Sequence, residues 1–439
     1  MTRAVGEAAM RMAMLVALAL VLTVQSSAAG PSINQADDAR QSAPIAWIEL
    51  TGAGQQVRAV AESSRCPEVT IDGRDTAMTV RAAPATDFPA ASCQLSIPAG
   101  ARHADIGGRA LPLMTAPPKR ILIFGDTGCR IKGDQIQDCN NTASWPFPEV
   151  ARRAAALKPD LVIHVGDYYY REDACPAGRA GCAGSPHGDT WASWRADFFD
   201  PAQPLLAVAP VVFARGNHES CARGGQGWTR LLDAGDEGAA CPATAAAFKV
   251  DIGGLNLYVV DSAESDDRAA PARDVARITQ QLDAFGPALA HQPGWIVTHR
   301  PVWAVTPFAR LGSIGPAEIS LNKTLQAAVR GRDLSDVSMI VSGHVHQFAA
   351  YDWGSERPAQ LVAGTGGDAA EESDLTRPRS AQRSIDGLTA RRLTFQRFGF
   401  FMLERDGADW TGTFRDLDNQ VVATCRLAAR DLTCRPVER

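Results

Sequence analysis

The sequence predicts an α/β protein, a β-sandwich flanked by helices and preceded by a small N-terminal β domain. Three observations lead there. From residue 119 onward, continuous apolar runs each end at a turn carrying a polar side chain, the pattern of buried strands feeding one sheet edge. Helix-like stretches lie between some of these runs, as crossover connections require. Before residue 119 the runs are short, alternate with polar residues and are broken by Gly and Asp, which suits a small β unit.

Residues 1–29 read as an export signal, with Arg3 and Arg11 near the start, an apolar run over 12–24, and small residues Ser27, Ala28 and Ala29 at the exit. Residues 30–118 are expected to form the β domain and its linker, with strands at 45–50 and 77–82 and with Pro117 and Pro118 ending the linker. Residues 119–439 form the second domain. There the run 120–124 ends at Gly125 and Asp126, 147–157 is helix-like, and 160–165 ends at Gly166 and Asp167. A third strand is expected over 205–213, leading to Gly216, Asn217, His218 and Glu219. Residues 255–260 are a strand closing on Asp261, and 280–289 belong to a helix. The runs 295–299 and 337–341 complete the set, the latter entering Gly343, His344, Val345 and His346. Residues 398–434 alternate apolar and polar side chains and are expected as closing antiparallel strands.

A chain of 439 residues has room for one large domain and a smaller companion. With 45% hydrophobic and 21% charged residues it is globular in composition. A net charge of -5 with mixed signs argues against a nucleic-acid binder, which would carry a basic field. Anionic substrates must then be held by local chemistry. Beyond the signal no stretch is long enough to span a bilayer, so the mature chain is expected to be periplasmic or secreted.

The ten cysteines agree with export. They fall in sequence-local pairs: Cys66 with Cys93, Cys129 with Cys139, Cys175 with Cys182, Cys221 with Cys241, and Cys425 with Cys434. Structural bridges between these neighbours are expected, although sequence alone leaves the connectivity open. A thiolate metal site is disfavoured, because no close CxxC doublet occurs.

The strand ends bring together Asp126, Asp167, Tyr170, Asn217, His299, His344 and His346. Carboxylates, an amide and imidazoles suit iron, manganese or zinc, and a pair of ions sharing one carboxylate is the simplest use of all seven. Five blocks carry a resemblance: Gly125, Asp126, Thr127, Gly128; then Gly166, Asp167, Tyr168, Tyr169, Tyr170; then Gly216, Asn217, His218, Glu219; then Val297, Thr298, His299; then Gly343, His344, Val345, His346. Their order resembles that of the calcineurin-like metallophosphoesterases, over roughly residues 120–368. Within that superfamily the chain is similar to the purple acid phosphatases, because the first block has Asp-x-Gly where most relatives have Asp-x-His and a tyrosine follows the second-block aspartate by three residues.

The resemblance implies Asp126, Tyr170 and His346 as ligands of a ferric ion. It implies Asn217, His299 and His344 as ligands of a divalent ion (iron, zinc or manganese), with Asp167 bridging the two. His218 matches a histidine that holds the phosphoryl group or leaving oxygen and does general-acid work. The implied activity is hydrolysis of a small phosphate monoester by a metal-bound hydroxide, tolerant of acid. A phosphodiesterase or a nucleotide or phospholipid phosphoesterase of the same superfamily is an alternative, as is a non-catalytic protein that binds phosphate or metal.

Other residues have plainer readings. Tyr168 and Tyr169 are read as packing or cleft wall, and His164 as a hydrogen-bonded core group. His187 lies in the loop around Cys175 and Cys182. The histidines that some purple acid phosphatases carry after the fourth block are absent. Arg300 stands there instead, either as a salt-bridging group or as a substitute phosphate binder. Glu219 is expected to orient neighbouring groups, residues 364–367 to make a tight turn near the cleft, and His103 and His291 show no motif.

Overall fold

The computed structural model describes residues 44–235, 240–308, 317–369 and 375–437, so the export signal expected at 1–29 lies outside the described residues. Two large sheets face each other. The first runs, in spatial order, Asp431–Pro436, Val421–Ala428, Asp409–Asp416, Gly399–Asp406, Arg120–Phe124, Leu161–His164, Val211–Phe213, Ile45–Thr51, Gly54–Ala61, Ala91–Ser96 and Thr79–Ala82. The second runs Phe248–Asp251, Asn256–Val259, Gly294–Val297, Val337–Ser342, Ala359–Ala363, Phe348–Asp352, Leu388–Phe395 and Arg379–Ile385.

The continuous apolar runs follow from this layering, since each central strand is covered on both faces. Along Arg120–Phe124, Ile121 and Ile123 point into the core between the sheets, where they join Trp295, Val297, Met339 and Val341. Their neighbours Leu122 and Phe124 point outward beneath the helices Phe147–Ala156 and Asp200–Leu206. On the far side Ile296 and Ile340 pack under the helices Ala272–Phe285 and Lys323–Val329. The result is an α/β sandwich of four layers. Its central strands Arg120–Phe124, Leu161–His164 and Val211–Phe213 are parallel, so their C-terminal ends share one edge.

The N-terminal region is rich in strands, and four of them continue the first sheet. Ile45–Thr51 pairs in parallel with Val211–Phe213 through Glu49 and Val211, so that Ile45–Thr51, Gly54–Ala61, Ala91–Ser96 and Thr79–Ala82 extend the first sheet. Every residue of Ile45–Thr51 after the first is buried, so this strand needs cover on both faces, and Trp47 finds it against Phe199. A compact four-stranded sheet of Arg74–Ala77, Glu68–Ile71, Ala104–Ile106 and Arg109–Ala110 sits beyond it. Two expected strands also change. Residues 77–82 divide at the buried Met78 between two different sheets. The run expected as one strand at 205–213 gives the end of the helix Asp200–Leu206 and only a short strand, because an unbroken apolar run has no period to choose between them.

All five expected cysteine pairs are joined as disulfides.

Candidate metal centre

At the shared edge the chain leaves each strand through a sharp turn. Asp126, Asp167 and His344 adopt φ of 58°, 60° and 70°, left-handed values that L-residues reach only at a cost of order 1–3 kcal/mol and that cluster at functional sites. Glycines make room for the side chains this conformation aims inward. A Cβ on Gly343 would stand 2.3 Å from Asp126 Oδ2, and one on Gly216 2.1 Å from Asp167 Oδ1.

The seven side chains converge in two groups around Asp167. In the first, the Tyr170 hydroxyl lies 2.8 Å from Asp167 Oδ2, 3.3 Å from Asp126 Oδ1 and 3.3 Å from His346 Nε2. In the second, His299 Nε2 lies 3.2 Å from the same Asp167 Oδ2 and 3.0 Å from Asn217 Oδ1. Donor atoms of Asp167, His299 and His344 all lie within 4.8 Å of one another. One carboxylate therefore belongs to both groups.

A family model for calcineurin-like phosphoesterases matches residues 119–348, more than half of the chain. The chain belongs to that family. Comparison with curated protein sequences finds no match. Among solved structures, a purple acid phosphatase, PPD1, from yellow lupin (Lupinus luteus) seeds is similar with a TM-score of 0.53 at 16% identity, over 89% of this chain and 74% of the lupin protein. A structure of PhoD is similar with a TM-score of 0.55 at 11% identity, over 89% of this chain and 91% of that one. At such identities the likeness is one of fold.

The chemistry of the donor set in this calcineurin-like phosphoesterase fits cations. Nδ1 of His299 donates to the Val165 carbonyl at 2.8 Å, and Nδ1 of His346 donates to the Ala369 carbonyl at 2.8 Å. Both rings are thereby fixed with Nε2 facing carboxylate oxygens, so a neutral imidazole would set lone pair against lone pair. A positive charge resolves the conflict. Burial alone would lower both histidines, but Asp167 pushes His299 up to about 8, and Asp368 with Asp126 pushes His346 up to about 9. Burial, and then the carboxylates of Asp167, Asp368 and Asp126, hold the Tyr170 hydroxyl protonated well above its usual range. Metal ions would satisfy the same atoms.

His218 borders the cluster, its Nε2 3.9 Å from Asp167 Oδ2 and its ring centroid 3.7 Å from that of Tyr170. Burial holds its imidazole down at about 4. Its Nδ1 donates to Glu172 Oε1 at 2.8 Å, which turns Nε2 toward the centre. Glu219 accepts backbone N–H bonds from Gly216, Asp167, Tyr168 and Tyr169 at 2.9 to 3.2 Å, tying the second and third turns together.

Tyr168 and Tyr169 are packing residues: the first donates to the Ala214 carbonyl at 2.8 Å and the second stacks on Trp194. His164 is buried against Tyr168, with Thr127 Oγ1 3.1 Å from its Nε2. His187 is exposed. Arg300 pairs with Asp267 and lies 2.9 Å from His344 Nε2, the salt-bridging role rather than an open phosphate-binding one.

Four partners escaped the sequence reading. Glu172 orients His218, Arg223 joins Glu172 to His218, Asp267 Oδ2 lies 2.9 Å from His344 Nε2, and Asp368 Oδ2 lies 3.3 Å from His346 Nε2 while pairing with Arg130. Glu172 had a signal, since it follows Tyr170 by two residues on the same loop. Asp368 had a weaker one, directly after the glycines at 364–367.

Proposed function

We propose that this chain is an exported dinuclear-metal phosphatase of the purple acid phosphatase type, hydrolysing phosphate monoesters. The observation that carries the reading is the Tyr170 hydroxyl placed among Asp126, Asp167 and His346. Asp126, Tyr170 and His346 would hold a ferric ion, and Asn217, His299 and His344 a divalent ion (iron, zinc or manganese), with Asp167 shared. When bound, the two ions supply Lewis acidity toward a water nucleophile and toward the ester oxygens. The chain's own residues do the rest. Asp167 fixes the spacing of the two groups. Glu172, accepting from Nδ1 of His218, fixes the ring with Nε2 toward the centre; the imidazolium form, which carries a proton on Nε2 as well, would give a phosphoryl or leaving oxygen its hydrogen bond and its proton. The five disulfides support export, and among the described residues no helix is long and apolar enough to cross a membrane.

The test is the visible absorption of the oxidised, iron-loaded protein beside a Tyr170→Phe variant, together with rates on a monoester and a diester. A tyrosinate-to-iron band that disappears in the variant, with faster monoester hydrolysis, is expected. A colourless but active protein would reduce the reading to a dinuclear phosphoesterase without a ferric site. Activity that survives in an Asn217→Ala variant would remove the divalent assignment.

A further inference from the structure

Arg223 stands on the same short turn as Asn217 and His218. Its backbone N–H donates to the Ser220 carbonyl at 2.9 Å, and the next residue, Gly224, donates to the His218 carbonyl at 2.9 Å. The Cys221–Cys241 bridge pins the turn from one side. Arg215 pins it from the other, donating to the Glu219 carbonyl at 2.9 Å with a second nitrogen 3.0 Å from Cys241 Sγ. The guanidinium is thus held, and its direction is set by the fold.

It lies against the edge of the His218 ring, with Nη2 2.5 Å from Nδ1. Nε donates to Glu172 Oε2 at 2.9 Å, while Nη2 also meets Glu172 and lies 2.8 Å from His218 Nε2, the ring nitrogen nearest Asp167. Glu172 is shared again, because Lys132 Nζ lies 2.9 Å from the same Oε2. One carboxylate therefore faces two permanent cations, and the wall beside His218 keeps about one unit of positive charge after pairing. Side-chain exposure rises from 12% at Glu172 through 19% at Arg223 to 45% at Lys132, so the excess charge lies toward solvent rather than the core.

From this geometry we infer that Arg223, backed by Lys132, is the specificity-determining group that binds the second anionic oxygen of a phosphate monoester. The inference rests on reading the centre as a phosphatase. A monoester phosphate carries close to two negative charges at neutral pH and a diester one. A planar, fixed guanidinium beside an imidazole rewards the oxygen that only the monoester offers as an anion. The diester replaces that oxygen with an uncharged, substituted one and leaves the net positive charge of the wall uncompensated.

The experiment compares the metal-loaded parent with Arg223→Gln, Arg223→Lys and Lys132→Gln. It measures kcat/KM on p-nitrophenyl phosphate and on bis(p-nitrophenyl) phosphate, orthophosphate affinity by calorimetry, and metal content and thermal unfolding of each protein. For Arg223→Gln the monoester kcat/KM should fall roughly 30- to 100-fold, the diester value less than about threefold, and orthophosphate should bind about tenfold more weakly, with metal content unchanged. Arg223→Lys should recover part of the loss, and Lys132→Gln should lower the monoester preference by about three- to tenfold. Equal losses on both esters with unchanged orthophosphate affinity would overturn the inference and leave Arg223 as a positioning residue for His218. If Arg223→Gln fails to fold, Arg223→Lys and Lys132→Gln decide, and an unaltered monoester-to-diester ratio in both overturns it. A fully metal-loaded parent that hydrolyses neither ester would instead refute the phosphatase reading, while the orthophosphate measurement still tests Arg223.

Discussion

Loading the metal-free protein should release a definite number of protons, and Tyr170 should account for one of them. At pH 7 His299, pushed up to about 8, and His346, pushed up to about 9, each hold nearly a full proton on the nitrogen that faces the centre. The Tyr170 hydroxyl, raised well above 10.0 by burial and by its carboxylate neighbours, holds a third. A metal ion needs the bare nitrogen and the phenolate, so loading should expel about three protons, and about two in a Tyr170→Phe variant. Calorimetric titration of the chelator-stripped protein with zinc, repeated in buffers of different ionisation enthalpy, gives the count directly. Protons lost from coordinated water enter both proteins alike and cancel in the difference. The same number from parent and variant would refute Tyr170 as a ligand. Fewer than one from the parent would refute the cation-shaped centre altogether. The sign of the stability change follows. Both histidines are raised, so the stability they confer on the metal-free protein is complete below the unfolded value of 6.5 and is lost as pH rises through 8 to 9. The loaded protein should lack that loss.

Three further outcomes are expected. Glu219→Ala leaves four buried N–H groups without their acceptor, at about 1 kcal/mol each, so the melting temperature should drop by roughly 5 °C and amide exchange should quicken at residues 167–169; a shift below about 1 °C would show that the turns stand without it. Asp267→Asn should weaken metal binding about 10- to 100-fold, read by competition with a chelating dye, because His344 loses its orienting carboxylate; unchanged affinity would reduce Asp267 to a partner of Arg300 alone. Burial would raise the Glu172 carboxyl from 4.5, but hydrogen bonds from His218 and Arg223 outweigh this and hold it low, so its stabilisation is present above 4.5 and lost on acidification. Glu172→Gln should therefore flatten the fall in melting temperature between pH 5 and pH 3, and an unchanged slope would contradict the pairing.

The residues of the centre were legible in the sequence for a geometric reason. A strand buried on both faces writes itself as a continuous apolar run, and the first polar side chain after the run must lie at the sheet edge. Asp126 and Asp167 stand at such a point, His344 stands two residues beyond Ser342 at the end of its run, and all three take a positive φ. Their partners lack that signature. Asp267 arrives from a loop, Arg223 from a turn, and Asp368 from the far side of a glycine cluster, at sequence positions with no period to mark them. The glycines carry a trace of it, since a Cβ on Gly364 would stand 2.8 Å from Asp126 Oδ2.

Which sheet the N-terminal strands join was not legible, because short alternating runs describe a local pleat and say nothing about its partners. Their placement matters to the centre. Ile45–Thr51 borders Val211–Phe213, the strand that delivers Asn217 and His218. Arg58 donates to the Asp233 carbonyl at 3.1 Å, and Arg81 donates to the carbonyls of Thr229 and Asp233 at 2.8 and 2.9 Å, in and just after the helix Gly225–Leu231 that follows Arg223. The segment running from Asn217 to Asp233 is therefore held at its start by the sheet, at Glu219 and Cys221 by Arg215 and a disulfide, and near its end by two arginines of the N-terminal strands. Three independent anchors on one segment are what a site needs when Asn217, His218 and Arg223 must all keep their directions at once.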